Sequence, residues 1–249
     1  MITDSFDNKT EPILSLRDFY GEPGSGHEIC LVIFSKAIFE HILASFACEK
    51  TAHIASCGGG TDIYSLHYDG MDIAFYLSQT GSVMAAQWVI EANYLTGARK
   101  FIMFGSAGSL DEEKTTGKFV IPTEAYRDEG MSYHYAPPSD YITIRNHERL
   151  AGLFDELSLP HVEGRIWTTD AFCRETVGQI AKRRAEGCIA VEMEVAGVQA
   201  VCDFHSFELY DFLVTGDVLS TTEYRVEGLH AANHSLDKLY IALEIAKRI

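Results

Sequence analysis

The sequence predicts an α/β protein, a three-layer α/β/α sandwich around a central mixed sheet, folded as one domain over residues 1–249. Short apolar runs of strand length alternate with segments of helical periodicity along the chain, without an internal repeat or a low-complexity tract. Two of those runs, Ile29–Phe34 and Lys100–Phe104, read as strands buried on both faces. An Asp69-Gly70 turn between two further strand patterns marks a hairpin, so part of the sheet is antiparallel.

Taken in order, residues 1–28 read as an irregular arm broken by Pro12, Gly21, Pro23, Gly24 and Gly26. Ile29–Phe34 and the helical pattern of Ile38, Ile42 and Phe46 make a βα unit. Strands are expected at Ala52–Cys57, Ile63–Tyr68 and Asp72–Leu77, then a helix over Ser82–Leu95 ended by Gly97. Lys100–Phe104, Gly117–Ile121 and Val162–Trp167 follow as strands, with Asn146 capping a helix through Leu157 and another helix near Thr176–Glu186. Cys188–Val191 is a strand, Val195–His205 a helix, Glu208–Val214 a strand, and Leu229–Ile249 a closing amphipathic helix.

With 249 residues, 27.7 kDa and 47% hydrophobic content, the chain can bury a full core. Its net charge of −16 argues against nucleic acid, whose phosphates need basic surface, and favours a small-molecule ligand. The acidic, polar start has no basic leader, and no apolar run is long enough for a membrane, so the reading is cytoplasmic. The six cysteines are scattered without CxxC spacing and the ten histidines form no HExxH, so no metal is expected.

The most informative stretch is Gly187–Gly197, in which Glu192 and Glu194 flank Met193 within an apolar, small-residue run. A buried carboxylate is costly without a partner. A polyol, a cation or a base would supply one, and a ribose suits the pattern: its vicinal hydroxyls are two donors that one carboxylate can accept, and a thioether can lie on its apolar face. The competing reading is that Glu192 or Glu194 caps the helix that begins near Val195.

Val191-Glu192-Met193-Glu194-Val195-Ala196-Gly197 resembles the "VEMEAAG" segment of the nucleoside phosphorylases of the purine nucleoside and uridine type, relatives of the methylthioadenosine nucleosidases. Phe104–Leu110, Asp128–Tyr135, Thr169–Phe172 and Thr215–Asp217 follow in that family's order, over roughly residues 70 to 225. The resemblance implies the phosphorylase-like fold and cleavage of an N-glycosidic bond without a cofactor, with phosphate as co-substrate. It also implies a homo-oligomer, a dimer or a hexamer. By the same resemblance Glu194 holds the ribose hydroxyls, Met193 the sugar face, and Glu192 supports them. Phe172 stacks on the base, Thr80 and Gly81 lie beneath the substrate, and Gly105 and Ser106 hold phosphate, with Lys36 read from this sequence as a partial substitute for the family's phosphate-binding cations. Asp217 matches an aspartate that protonates purine N7, which tilts the reading towards purines. On the residues alone, each has a plainer alternative: a strand-to-loop turn at Gly105–Gly108, a core phenylalanine at 172, a turn aspartate at 217. Asp128–Tyr135 fits either a pocket wall or a loop tied by its own hydrogen bonds.

The chain departs from the family at the nucleophile. Where the phosphorylases carry phosphate-binding arginines, this sequence has Ile38 and Met103, and no arginine falls near residues 50–60. Three readings therefore stand: a nucleoside phosphorylase, a nucleoside hydrolase using water, and a catalytically silent nucleoside-binding protein.

Overall fold

The computed structural model describes residues 1–249. Its first half runs α1 (Arg17–Tyr20), β1 (Ile29–Ile33), α2 (Lys36–Ser45), β2 (Cys48–Ile54), β3 (Thr61–Tyr68), β4 (Met71–Leu77), α3 (Ser82–Thr96), β5 (Lys100–Ser109), α4 (Glu112–Thr115) and β6 (Phe119–Asp128). The second continues with α5 (Ser132–Tyr135), β7 (Tyr141–Thr143), α6 (His147–Glu156), β8 (His161–Thr169), α7 (Val177–Ala185), β9 (Cys188–Glu192) and α8 (Val195–His205). It closes with β10 (Glu208–Leu219), β11 (Tyr224–Arg225), α9 (Leu229–His234) and α10 (Asp237–Ala246). No helix is long and apolar enough to cross a membrane.

All strands join one mixed sheet in the order β11-β10-β6-β8-β9-β5-β1-β4-β3-β2, with β7 beside β6. An extra parallel pairing of β10 with β5 closes part of it into a ring of β5, β10, β6, β8 and β9. β1, β4, β3 and β2 extend from the ring as an open wing, and β3 and β4 form the expected hairpin. Its turn uses Asp69 (φ 51) and Gly70 (φ 81), the two positive angles that match the twist of the flanking strands.

Alternate residues of β1 face different helices, which is the three-layer arrangement seen in one strand. Cys30 and Val32 pack in a core with Val89 of α3 and Val198 of α8, whereas Leu31 and Ile33 pack with Ile42 of α2, Phe154 of α6 and Leu243 of α10. Helices thus cover both faces, as the apolar run of β1 required.

Several boundaries differ from the sequence expectation. The turn expected at Gly105–Gly108 is strand: β5 continues to Ser109 because β10 pairs with it, Leu213 opposite Gly105 through Asp217 opposite Gly108. Gly108 permits this closeness, since a Cβ there would lie 2.3 Å from the Leu219 side chain. For the same reason Asp217 lies inside β10 rather than after it. The strand expected at Ala52–Cys57 starts and ends earlier, at Cys48–Ile54. Asn146 stands at the head of α6 but does not cap it; its side-chain amide donates to the Leu209 carbonyl at 3.1 Å. The closing helix is two, because Ser235 turns extended (ψ 118) and the buried Lys238 ammonium folds back onto the carbonyls of Ala232 and Asn233 at 2.5 and 3.3 Å.

Candidate active site

Glu192 ends β9 and Val195 opens α8, so the acidic pair occupies a strand-to-helix corner. The two carboxyls divide the roles that the sequence left open. Glu192 is the cap: its Oε2 accepts the amides of Glu194 (2.6 Å) and Val195 (2.8 Å), and its Oε1 the Thr168 hydroxyl. Glu194 accepts the Gly81 amide at 2.6 Å through Oε1 and lines a cavity. Burial raises the pKa of both, the Glu194 charge raises Glu192 further, and the Gly81 amide partly offsets the shift at Glu194. A carboxyl that faces a cavity with one oxygen still free has lone pairs for a ligand's donors.

Two helix heads converge here. Gly81 precedes α3 with φ 101, a backbone region that side-chain-bearing residues avoid, and this turns its N–H onto Glu194. The neighbouring Ser82 hydroxyl donates to the Met193 carbonyl at 3.0 Å. Gly197 allows the approach, because a Cβ there would meet the Ser82 Cβ at 2.8 Å. The positive ends of α3 and α8 both favour negative charge at this corner.

The cavity has a volume of about 880 Å³ and lies across the ends of β5, β9 and β10, next to the head of α2 and the break between α9 and α10. Thr80, Phe172, Glu192, Met193, Glu194, Gly105, Ser106 and Asp217 of the expected site all line it. Gly81 does not line it and acts through Glu194. Phe172 is not a core residue: it is 63% exposed, on a one-turn 3₁₀ segment (Phe172–Arg174). Lys36 is the expected residue that the structure leaves out. Its ammonium lies 3.5 Å from Glu40 on the exposed side of α2, because the residue follows the capping Ser35 and points outward from the first turn.

The part of the cavity around Ser106 has an unanticipated set of groups. The Ser106 hydroxyl donates to the Asn233 side-chain oxygen, and Ser35 Oγ lies 2.8 Å from His234 Nδ1. Ile38 and Met103 line the cavity, where the family's arginines were not found. Lys238 is the one lysine or arginine in the lining, but its ammonium is occupied by the Gly105 (3.2 Å), Ala232 and Asn233 carbonyls. Burial lowers its pKa to about 8. Nothing in the sequence distinguished Lys238 from the other lysines of an amphipathic helix; its burial depends on the break before α10.

Asp217 lies over Gly108, whose absent Cβ would sit 3.5 Å from Asp217 Oδ2. Glu175 and Tyr224, neither anticipated, share its surroundings: burial and then the Asp217 charge push Glu175 up to about 7, and the same two causes raise Tyr224. Glu175 and Phe172 flank one turn, closed by the Glu175 amide on the Phe172 carbonyl at 3.2 Å. Asp211 of β10 also lines the cavity and is considered below. The segment Asp128–Tyr135 is tied by its own bonds: the buried Arg127 guanidinium donates to Ser132 Oγ and the Pro137 carbonyl, both at 2.7 Å, and covers the Tyr133 ring. No group of three or more His, Cys, Asp or Glu side chains is arranged to hold a metal ion.

Fold and cavity together are those of a nucleoside phosphorylase-like α/β protein, and the chain belongs to the phosphorylase superfamily, whose family model matches residues 28–233. Among curated relatives it is similar to a DeoD-type purine nucleoside phosphorylase of an Exiguobacterium species, 26% identical over 159 residues, 63% of this chain and 67% of the relative. It is similar also to a guanosine phosphorylase of Halorubrum lacusprofundi, 27% identical over 184 residues, covering 72% of this chain and 74% of the relative. A DeoD-type purine nucleoside phosphorylase of Caldanaerobacter subterraneus subsp. tengcongensis matches at 24% over 215 residues, 85% of this chain and 90% of the relative.

Proposed function

We propose that the protein cleaves the N-glycosidic bond of a purine nucleoside and passes the ribosyl group to phosphate, giving free base and ribose 1-phosphate. The observation that carries this is Glu194: a partly buried carboxyl, fixed through Oε1 by Gly81 and lining the cavity beside Met193. Its acceptors take the 2′- and 3′-hydroxyls while Met193 lies against the sugar, and Phe172 stacks on the base. Asp217 gives a proton to purine N7, the C1′–N9 electrons leave with the base, and a phosphate oxygen bonds to C1′. No cofactor takes part. Ser106 and the groups near it form the phosphate end. The names of the relatives support the purine and the phosphate, and the same reading carries a single phosphorylase-like domain in a cytoplasmic homo-oligomer.

A second reading, hydrolysis by water at the same site, is favoured by Ile38 and Met103 in the lining and by a Lys238 already occupied by carbonyls. The test follows free base from a panel of purine and pyrimidine nucleosides with and without phosphate. Release that requires phosphate and favours purines supports the first reading. Release of equal rate without phosphate replaces it by the second, and binding without release refutes both.

A further inference from the structure

Asp211 is the residue of the cavity for which the reaction above provides no role. It sits in β10 directly opposite Met103 of β5, so its neighbour across the ladder offers a thioether and no donor. The side chain is 1% exposed and both carboxyl oxygens lack a hydrogen-bond partner, yet the residue lines the same cavity as Glu194. Glu192 shows what a structural carboxyl looks like here: three donors surround it. A buried acid without partners is expensive for a fold, and an amide or a leucine would cost less. Its place in the lining points to a ligand.

The groups that act on Asp211 are the two carboxyls of the acidic corner. Burial first, then the Glu192 and Glu194 charges, keep its proton on well above the ordinary carboxyl range. The Glu192 charge acts from the end of β9 and the Glu194 charge from the head of α8; Lys238, the one lysine or arginine in the lining, is held by carbonyls of α9 and β5. The two carboxyls of the corner, beside a neutral third and with no free cation, favour positive charge at this wall of the cavity.

We propose that Asp211 is a third carboxyl of the cavity wall, one that stabilises the positive charge building on the sugar ring as the glycosidic bond breaks. This rests on the nucleoside-cleavage reading. In that step the bond electrons leave with the base, and the ring oxygen and C1′ share the charge. The Asp211 carboxyl, whose oxygens are shielded behind the lining, acts on that charge through the low-dielectric wall in the short-lived transition state. A long-lived cation in the same place draws the Asp211 proton off to bulk water and leaves a carboxylate.

The test is calorimetric binding, at pH 7 and in two buffers of different ionisation enthalpy, of neutral adenosine and of protonated 1,4-dideoxy-1,4-iminoribitol to the wild type and Asp211→Asn. The variant should lose about tenfold or more for the iminoribitol and less than about threefold for adenosine. Binding of the iminoribitol should release protons from the wild type and fewer from the variant. Thermal unfolding reads its folding separately, at or above the wild-type temperature, since a buried acid has been removed. Equal losses for both ligands, or none for the iminoribitol, would overturn the role of Asp211 alone. A wild type that binds neither ligand would overturn the nucleoside reading and this inference with it.

Discussion

The Gly81 amide donates to Glu194 Oε1 across 2.6 Å, and this bond joins the head of α3 to the head of α8. It leaves the second oxygen of Glu194 to the cavity while fixing the direction of the first.

Gly81→Ala tests that bond through the backbone. There is open space where the methyl would go, so the effect comes from φ 101 alone. Forcing an alanine there should cost about 1–3 kcal/mol and displace the amide from Glu194. The expected result is a lower melting temperature with a raised KM for nucleoside. An unchanged KM would mean that Gly81 does not orient Glu194.

The carboxyl cluster predicts how stability changes with pH. Glu175 titrates near 4.5 when unfolded and at about 7 when folded, and Glu192, Glu194 and Asp211 shift in the same direction. Between those values the folded state binds more protons than the unfolded one, so these groups destabilise the fold as pH rises. The melting temperature should fall from pH 5.5 to 8, and Glu175→Gln should make the fall shallower. A steeper fall in the variant would contradict the assignment.

Asp217→Asn tests the proposed proton donor to the leaving base. Turnover of purine nucleosides should fall about a hundredfold, with a much smaller loss for pyrimidine nucleosides, which have no N7. Equal losses in steady-state rates would remove the purine preference from the account.

Lys238→Met separates structure from phosphate binding. The ammonium joins β5, α9 and α10 through three carbonyls, and their loss should destabilise the fold by about 2 kcal/mol, a drop of roughly 4–8 °C in melting temperature. The KM for phosphate should stay within about threefold, since this cation is already occupied. A large rise in that KM would make Lys238 a phosphate ligand.

Much of the fold was legible because burial on two faces leaves a direct mark: Ile29–Phe34 had to be a covered strand, and the Asp69-Gly70 turn had to close a hairpin. The ring was not legible. Whether Gly105–Gly108 turns or continues depends on β10 arriving beside it, a contact more than a hundred residues away in sequence. The acidic corner could be read as a site because two carboxylates in an apolar run require an explanation, but which of them caps the helix depended on Thr168 and Gly81. Lys36 was misplaced for a local reason, since α2 turns it outward. Asp211 and Lys238 were invisible because a single acid in a strand and a single lysine in a helix look like any others until burial is known.

The most direct measurement compares dissociation constants for a ribonucleoside and its 2′,3′-dideoxy counterpart, in the wild type and in Glu194→Gln. If Glu194 receives the sugar diol, the dideoxy ligand binds the wild type about a hundredfold more weakly, and the gap closes in the variant. Equal affinity of the wild type for both ligands would contradict the central claim.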